Sequence, residues 1–251
     1  MERVYFEIPN LYDAIKILAV QPHYDDLDIL AGGTVAALAE AGAEIVYLTC
    51  TNDLVGVIDD TWSDEEAAAR LKNDQEEAAR VTGVRRQYWL GYPDAGAYNY
   101  FDLRRDILRV MRIESPDTII TVDPWTAYEA HTDHIQCGKA AAEAAILCGL
   151  TKVKSEPRVD AAYQPHQIER VAFYGTQYPN TCFDISRTIE KKKQAIRCYH
   201  AQYHEQELEQ MAGLLEYYAK MKAQGQDMAY AEMWKVVTPR HLHGYPDAWK
   251  F

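Results

Sequence analysis

Residues 14–51, AIKILAVQPHYDDLDILAGGTVAALAEAGAEIVYLTCT, contain a complete strand, helix and strand pattern. Ala14–Val20 is an apolar run of strand length, and Glu44–Thr51 is a second run rich in branched and aromatic residues. Between them, Ala31–Ala41 is rich in alanine and leucine, which are strong helix formers. The segment therefore predicts a βαβ unit, in which a helix connects two parallel strands.

The same alternation continues to about residue 180. Ser63 begins a second predicted helix, because Glu66 completes a capping box, and Gly83 ends it. The other predicted elements are strands at Arg86–Tyr92, Thr118–Val122 and Arg170–Gly175 and helices at Leu103–Ile113 and His134–Leu147. We therefore expect an α/β fold with a doubly wound, mostly parallel, Rossmann-like sheet and helices on both faces.

The last third of the chain departs from this alternation. Residues 188–224 have a helical pattern that predicts two helices, whereas residues 151–167 have no clear period and contain two prolines, as expected for a loop or lid. We expect a single domain over residues 1–251. Within it, residues 14–180 form the sheet core, and residues 185–251 form a helical C-terminal extension and tail.

Composition excludes several classes of protein. The 251 residues are 48% hydrophobic and 25% charged, as in ordinary globular proteins. Lys and Arg number 26 against 38 Asp and Glu, and the net charge of −12 disfavours nucleic-acid binding. Without a signal-like N-terminus or a long apolar run, the sequence predicts no membrane insertion. The five cysteines, an odd number with no C-x-x-C pair, indicate reduced thiols and a cytoplasmic location.

Charged side chains follow the first predicted strand. His23, Asp25, Asp26 and Asp28 lie just before a glycine pair and a helix. Ligands of open α/β sheets bind beyond the carboxyl ends of the strands, which is where this cluster is expected. The alternative is an exposed acidic turn in which Asp26 or Asp28 helps to start the next helix.

A second cluster follows the fourth predicted strand. His131, Asp133 and His134 open a helix there, and the two histidines, three positions apart, face the same way. Because two such strand ends can be neighbours, His23, Asp26 and His134 are predicted to form a three-ligand metal site with an open position. This ligand set suits Zn²⁺ and also Fe²⁺. Alternation of strands and helices favours hydrolysis over the oxygen chemistry of iron enzymes.

The two motifs, His23-x-Asp25-Asp26 and His131-x-Asp133-His134, resemble those of the LmbE-like or PIG-L family of zinc-dependent N-acetylglucosaminyl de-N-acetylases. The resemblance covers roughly residues 14–235. Weaker matches are Leu90–Asp94, residues 195–202 and Tyr230–Trp234. The family's activity implies a hydrolase that removes the N-acetyl group from an N-acetylglucosamine-type amino sugar or its conjugate.

The resemblance also implies a role for each motif residue. His23, Asp26 and His134 would bind the zinc, and Asp25 would be the general base for the attacking water. His131 would stabilise the oxyanion or protonate the leaving nitrogen, and Asp133 would orient His131. Asp94 is the expected contact of a sugar hydroxyl. The implied partner is a small amino-sugar substrate, and a homo-oligomer is a further expectation.

Three positions depart from the family pattern and affect the expected substrate. Tyr24 replaces a proline, Leu27 replaces a glutamate, and Arg70 lies beside the place of an Arg-x-x-Glu pair. Tyr24 and Arg70 are therefore predicted substrate contacts, with a packed Tyr24 ring as the alternative. Two other functions stay open: a metal amidohydrolase for a non-sugar amide, and a catalytically silent binding protein.

Overall fold

A computed structural model describes residues 7–245 and 248–250. Seven strands form one sheet in the order β3-β2-β1-β4-β5-β7-β6. The strands are β1 Lys16–Gln21, β2 Glu44–Thr51, β3 Arg86–Tyr92, β4 Thr118–Val122, β5 Arg170–Tyr174, β6 Thr181–Asp184 and β7 Ala231–Val237. The helices are α1 Asp26–Glu40, α2 Asp64–Thr82, α3 Tyr100–Glu114, α4 Thr132–Leu147, α5 Pro157–Ala162, α6 Ile189–Ile196 and α7 Glu205–Lys222.

Strands β1 to β5 are parallel, and β7 and β6 add antiparallel pairs at one side. Strand β1 lies between β2 and β4, so the chain order reverses at the β1/β4 boundary. At such a boundary the connections leave toward opposite faces and open a crevice beyond the strand ends. The expected doubly wound, mostly parallel α/β sheet is confirmed, and both clusters of charged residues follow strands at this boundary.

Buried apolar residues cover both faces of the sheet. One layer packs α3 and α4 against the strands, and the other packs α1, α6 and part of α7. A third cluster, around Leu71, Ile196 and Tyr199, joins α2, α6 and α7. Gly138 lets α4 approach β4 closely, because a Cβ at this position would lie 2.5 Å from the Val122 carbonyl oxygen.

Most predicted elements match the structure. The strands at Glu44–Thr51, Arg86–Tyr92 and Thr118–Val122 have the predicted bounds. Helix α2 begins after Ser63, whose hydroxyl accepts the Glu66 backbone N–H, and ends at Gly83 with φ 88°. The two helices expected within residues 188–224 are α6 and α7.

Strand β6 was not predicted, and two other regions differ from the expectation. Residues 151–167, expected to be a loop or lid, contain α5, with Pro157 in its first turn. The extension after residue 185 is only partly helical, because Ala231–Val237 is strand β7. Trp234 and Val236 pack on one face of the sheet and Val237 on the other. This short two-sided burial is typical of a strand inside a sheet.

Within the described ranges, no helix has both the length and the apolar character needed to cross a membrane.

Candidate metal centre and active site

The first charged segment leaves the end of β1 and turns into α1. Asp25 is the N-cap residue of α1, and Asp26 is its first residue. The Asp26 carboxylate turns back on His23, whose backbone N–H and Nδ1 lie 2.9 and 3.2 Å from Asp26 Oδ2. The local fold therefore places Nδ1 of the His23 ring beside the Asp26 carboxylate.

The second charged segment begins α4 beside this point. His131 is the N-cap residue of α4, and its Nδ1 accepts the Asp133 backbone N–H at 3.3 Å. One turn into the helix, His134 Nε2 lies 3.3 Å from Asp26 Oδ1. His23, Asp26 and His134 thus bring one ligand atom each within 4.8 Å of one another. The structure brings together the three predicted metal ligands.

The charge around these ligands suits a cation. Burial alone would lower the pKa of His23, but the hydrogen bond and charge of Asp26 raise it to about 10. Burial alone would raise the pKa of Asp26, yet His134 and His23 hold it below its usual value. His23 Nε2 is buried and has no hydrogen-bond partner within the described part of the chain. Two imidazoles and a carboxylate fit Zn²⁺ and Fe²⁺ equally well.

Further carboxylates contact the other ring nitrogens of His23 and His134. His23 Nε2 is 3.2 Å from Asp94 Oδ1 and 3.5 Å from Asp133 Oδ2, and these residues with His131 form an overlapping metal-compatible group. His134 Nδ1 is 3.0 Å from Glu129 Oε2. Metal-binding histidines commonly present their other nitrogen to a carboxylate, which fixes the ring orientation.

Asp25 is adjacent to the ligands but is held differently. It is 4% exposed, and its Oδ2 accepts the Tyr203 hydroxyl at 2.7 Å. Burial, followed by the charge of Asp26, raises the pKa of Asp25 to about 6. Asp53 is close by and accepts the Tyr24 backbone N–H at 3.1 Å. Burial and the charge of Asp25 raise the pKa of Asp53 well above its usual value.

His131 and Asp133 lie in the same turn, where the His131 side chain faces solvent and the Asp133 side chain is buried. The His131 side chain is 41% exposed, and the Asp133 side chain is 1% exposed. The Asp133 carboxylate accepts the Ala95 backbone N–H and the Tyr98 hydroxyl, each at 2.8 Å. It lies 3.9 Å from His131 Nδ1, so the hydrogen bond that orients His131 comes from the Asp133 backbone.

The remaining predicted site residues occupy three different settings. Asp94 joins the cluster, with one oxygen near His23 and the other accepting the Val55 backbone N–H at 3.0 Å. Tyr24 is 6% exposed and packs into the cluster of α2, α6 and α7, which agrees with the packed alternative. Arg70 is half-exposed, pairs with Glu66 at 2.8 Å and lies over the Trp62 ring.

Four residues of the site were not predicted: Asp53, Tyr98, Glu129 and Tyr203. Asp53 and Glu129 had a usable signal, because each follows the carboxyl end of a strand whose neighbours carry the predicted ligands. No sequence signal pointed to Tyr98 or Tyr203. Tyr203 reaches Asp25 from 178 positions away, and only the tertiary fold shows that contact.

Comparison with known proteins identifies the family. Residues 18–145, which include both charged segments, match the family model PIG-L, described as GlcNAc-PI de-N-acetylase. The chain belongs to this family. It is also 33% identical over 240 residues to diacetylchitobiose deacetylase of Thermococcus kodakarensis, covering 94% of this chain and 88% of that protein.

Two more similar proteins extend the comparison. The solved structure of N,N'-diacetylchitobiose deacetylase from Pyrococcus horikoshii with its inhibitor MPG has a TM-score of 0.88 and 32% identity. That match covers 98% of this chain and 92% of the other. A 1D-myo-inositol 2-acetamido-2-deoxy-alpha-D-glucopyranoside deacetylase of Saccharopolyspora erythraea is 30% identical over 59% of each chain. These similar proteins are deacetylases whose names describe N-acetylated amino sugars.

Proposed function

We propose that this PIG-L protein is a metal-dependent hydrolase that removes the acetyl group from the nitrogen of an N-acetylglucosamine-type sugar. Water adds to the amide carbonyl, the C–N bond breaks, and acetate and a free amine are released. The observation that carries this proposal is the convergence of His23, Asp26 and His134 beside the buried carboxylate of Asp25. The deacetylase relatives supply the amino-sugar substrate class.

The metal ligands in this proposal are His23, Asp26 and His134, with Zn²⁺ as the expected ion and Fe²⁺ as the alternative. A divalent ion bound by three protein ligands polarises a carbonyl and makes water more acidic. His23 Nε2 faces Asp94 and His134 Nδ1 faces Glu129, and these contacts support the assignment because they fix the ring orientations.

Asp25 is the proposed general base. Its Oδ2 is engaged by Tyr203, so the other oxygen is the one that takes a proton from the attacking water. A general base works best when its pKa lies near the working pH, and burial raises the pKa of Asp25 to about 6. Tyr203 holds the carboxylate in one orientation while the proton moves.

His131 is the proposed group that stabilises the oxyanion as a hydrogen-bond donor or, as an imidazolium, protonates the leaving nitrogen. Its Nδ1 accepts the Asp133 N–H, so the neutral ring carries its proton on Nε2. In the neutral ring, that N–H would donate a hydrogen bond to the oxyanion, and the side chain is 41% exposed. The buried Asp133 carboxylate, bonded to Ala95 and Tyr98, supports the turn that carries His131.

Asp94, Tyr24 and Arg70 are the predicted substrate contacts. Asp94 remains a predicted sugar contact, although its oxygens already face His23 and Val55 in this structure. The Tyr24 ring is packed in the protein, and Arg70 pairs with Glu66 at the surface. A cytoplasmic location and a homo-oligomer stay predictions.

A small substrate panel tests the proposal. Zinc-loaded protein is incubated with N-acetylglucosamine, N,N'-diacetylchitobiose and N-acetylated amino acids, and new primary amine is measured. We expect amine from one or both sugars and none from the amino acids. Turnover of the amino acids alone would make the protein an amidohydrolase of another class. Zinc binding without any turnover would favour a binding protein.

A further inference from the structure

Glu129 lies in the loop between β4 and α4 and uses both carboxylate oxygens on the second charged segment. Its Oε1 accepts the backbone N–H of His131 at 2.8 Å, and its Oε2 lies 3.0 Å from Nδ1 of His134. The side chain is 25% exposed, and the backbone N–H donates to Thr126 at 3.3 Å. One side chain therefore contacts both histidines of this segment.

The contact with His134 determines which ring nitrogen is free to bind an ion. A neutral imidazole carries one proton, and an ionised carboxylate can only accept hydrogen bonds. Glu129 Oε2 therefore favours the proton on Nδ1 and leaves the lone pair on Nε2. That nitrogen faces Asp26 Oδ1 at 3.3 Å. In this neutral form two lone pairs face each other, and the proposed metal would take the place of the proton that otherwise joins His134 to Asp26.

We propose that Glu129 is a positioning residue that directs His134 Nε2 toward the metal and, through the His131 N–H, anchors the first turn of α4. The inference rests on the proposed metal centre. The preceding loop brings the carboxylate to the metal-distal side of the His134 ring, so Glu129 acts through His134 and touches no reacting atom.

The contact geometry makes Glu129→Gln a sharp test, because glutamine has nearly the same shape but only one acceptor oxygen. If that oxygen stays on the His131 N–H, the amide NH₂ faces His134 Nδ1 and forces the ring proton onto Nε2. If the amide is reversed, His134 keeps its tautomer but the His131 N–H meets another donor. Either arrangement loses one of the two contacts.

The experiment measures zinc affinity by competition with a chromogenic chelator for the wild type, Glu129→Gln and Glu143→Gln. Glu143 lies on α4, the helix that carries His134; it pairs with Arg104 and Tyr100 and controls for the loss of one negative charge. Loss of such an outer carboxylate typically weakens metal binding by roughly 10- to 100-fold. We expect that loss for Glu129→Gln and wild-type affinity for Glu143→Gln.

Nitrogen-15 NMR of the histidine rings supplies a readout that a purely structural role would not change. In the zinc-loaded wild type, His134 should carry its proton on Nδ1. In zinc-loaded Glu129→Gln, the chemical shift of this proton should no longer be the one typical of a hydrogen bond to a carboxylate. Wild-type zinc affinity in Glu129→Gln, or an equal loss in Glu143→Gln, would overturn the inference while leaving the metal centre intact. A wild type that binds no zinc would overturn the metal centre and the inference together.

Discussion

The two charged segments of the site, residues 23–28 and residues 129–134, differ in how the protein holds them. In the first, His23, Tyr24 and Asp25 are all less than 10% exposed. In the second, the His131 side chain is 41% exposed, and the neighbouring Tyr128 is 94% exposed. The first segment is enclosed by the fold, whereas the second borders solvent.

The enclosure of the first segment has a visible cause. Strand β1 is central in the sheet, and the turn after it is covered by α2 and the α6–α7 connection. The Tyr24 carbonyl accepts Gln75 Nε2 at 2.7 Å and the Tyr199 hydroxyl at 3.0 Å. Donors fixed in a buried site cannot reorient easily, so the carboxylates beside them are held in place. We infer that residues 23–28 carry the buried charges of the site and that residues 129–134 border the space for the substrate.

The largest expected effect separates His134 from His131, which lie in the same exposed segment. His134→Ala removes one of three proposed ligands, so the protein should lose nearly all bound metal on dialysis and all measurable activity. His131→Ala should keep about one metal ion per chain and lose only activity. Elemental analysis of both variants measures this. Equal metal content in the two variants would remove His134 from the ligand set.

The next effect separates Asp25 from Asp26 in the buried segment. Asp26→Ala should lose metal and activity together, whereas Asp25→Asn should keep its metal. General base catalysis is typically worth about 10²–10⁴-fold, so kcat of Asp25→Asn should fall by roughly that factor. KM should change little, since the lost contact belongs to the transition state. Metal loss in Asp25→Asn, or near-parental kcat, would contradict this division of roles.

A smaller effect is expected from the hydroxyl that holds Asp25. A hydrogen bond to a charged group is worth about 1.5–3 kcal/mol, so Tyr203→Phe should lower kcat by roughly 10- to 100-fold. Metal content should not change. Tyr100→Phe is the matched control, because its hydroxyl bonds Glu143 at 2.6 Å on α4, away from the ligands. Similar kinetics for both variants would show that Asp25 does not depend on Tyr203.

The smallest effect on catalysis is expected at Tyr24. Its ring fills the cluster between α2, α6 and α7, so Tyr24→Ala should lower the free energy of unfolding by about 3 kcal/mol. The ranking of substrates should stay the same, because the ring points into the protein. Tyr24→Phe keeps the packing and serves as the control. A changed substrate ranking in either variant would place the ring at the entrance of the site.

Sequence periodicity predicted the sheet because its strands are short apolar runs with clear ends. It also brought together His23, Asp26 and His134, because the carboxyl ends of β1 and β4 must meet at the point where strand order reverses. Strand β7 was missed because Glu232 and Lys235 interrupt its apolar run.

Most of the hydrogen bonds to the carboxylates of the site could not be predicted from the sequence. Tyr203 and Asp25, or Tyr98 and Asp133, are separated by long stretches of chain, and no local pattern marks a tyrosine as a donor to a catalytic carboxylate. Similarly, the sequence does not show whether Tyr24 faces solvent or the core. Burial of that ring depends on the packing of helices from three parts of the chain.

We propose that a metal at His23, Asp26 and His134 is needed to deacetylate an amino sugar. The most direct measurement is acetate and amine release from N,N'-diacetylchitobiose by metal-stripped protein, before and after one equivalent of zinc is added. We predict no release from the stripped protein, and after reloading, equal amounts of acetate and amine. Equal release of acetate and amine before and after metal removal would contradict the proposed role of the metal. No release from a protein that has bound zinc again would contradict the proposed activity.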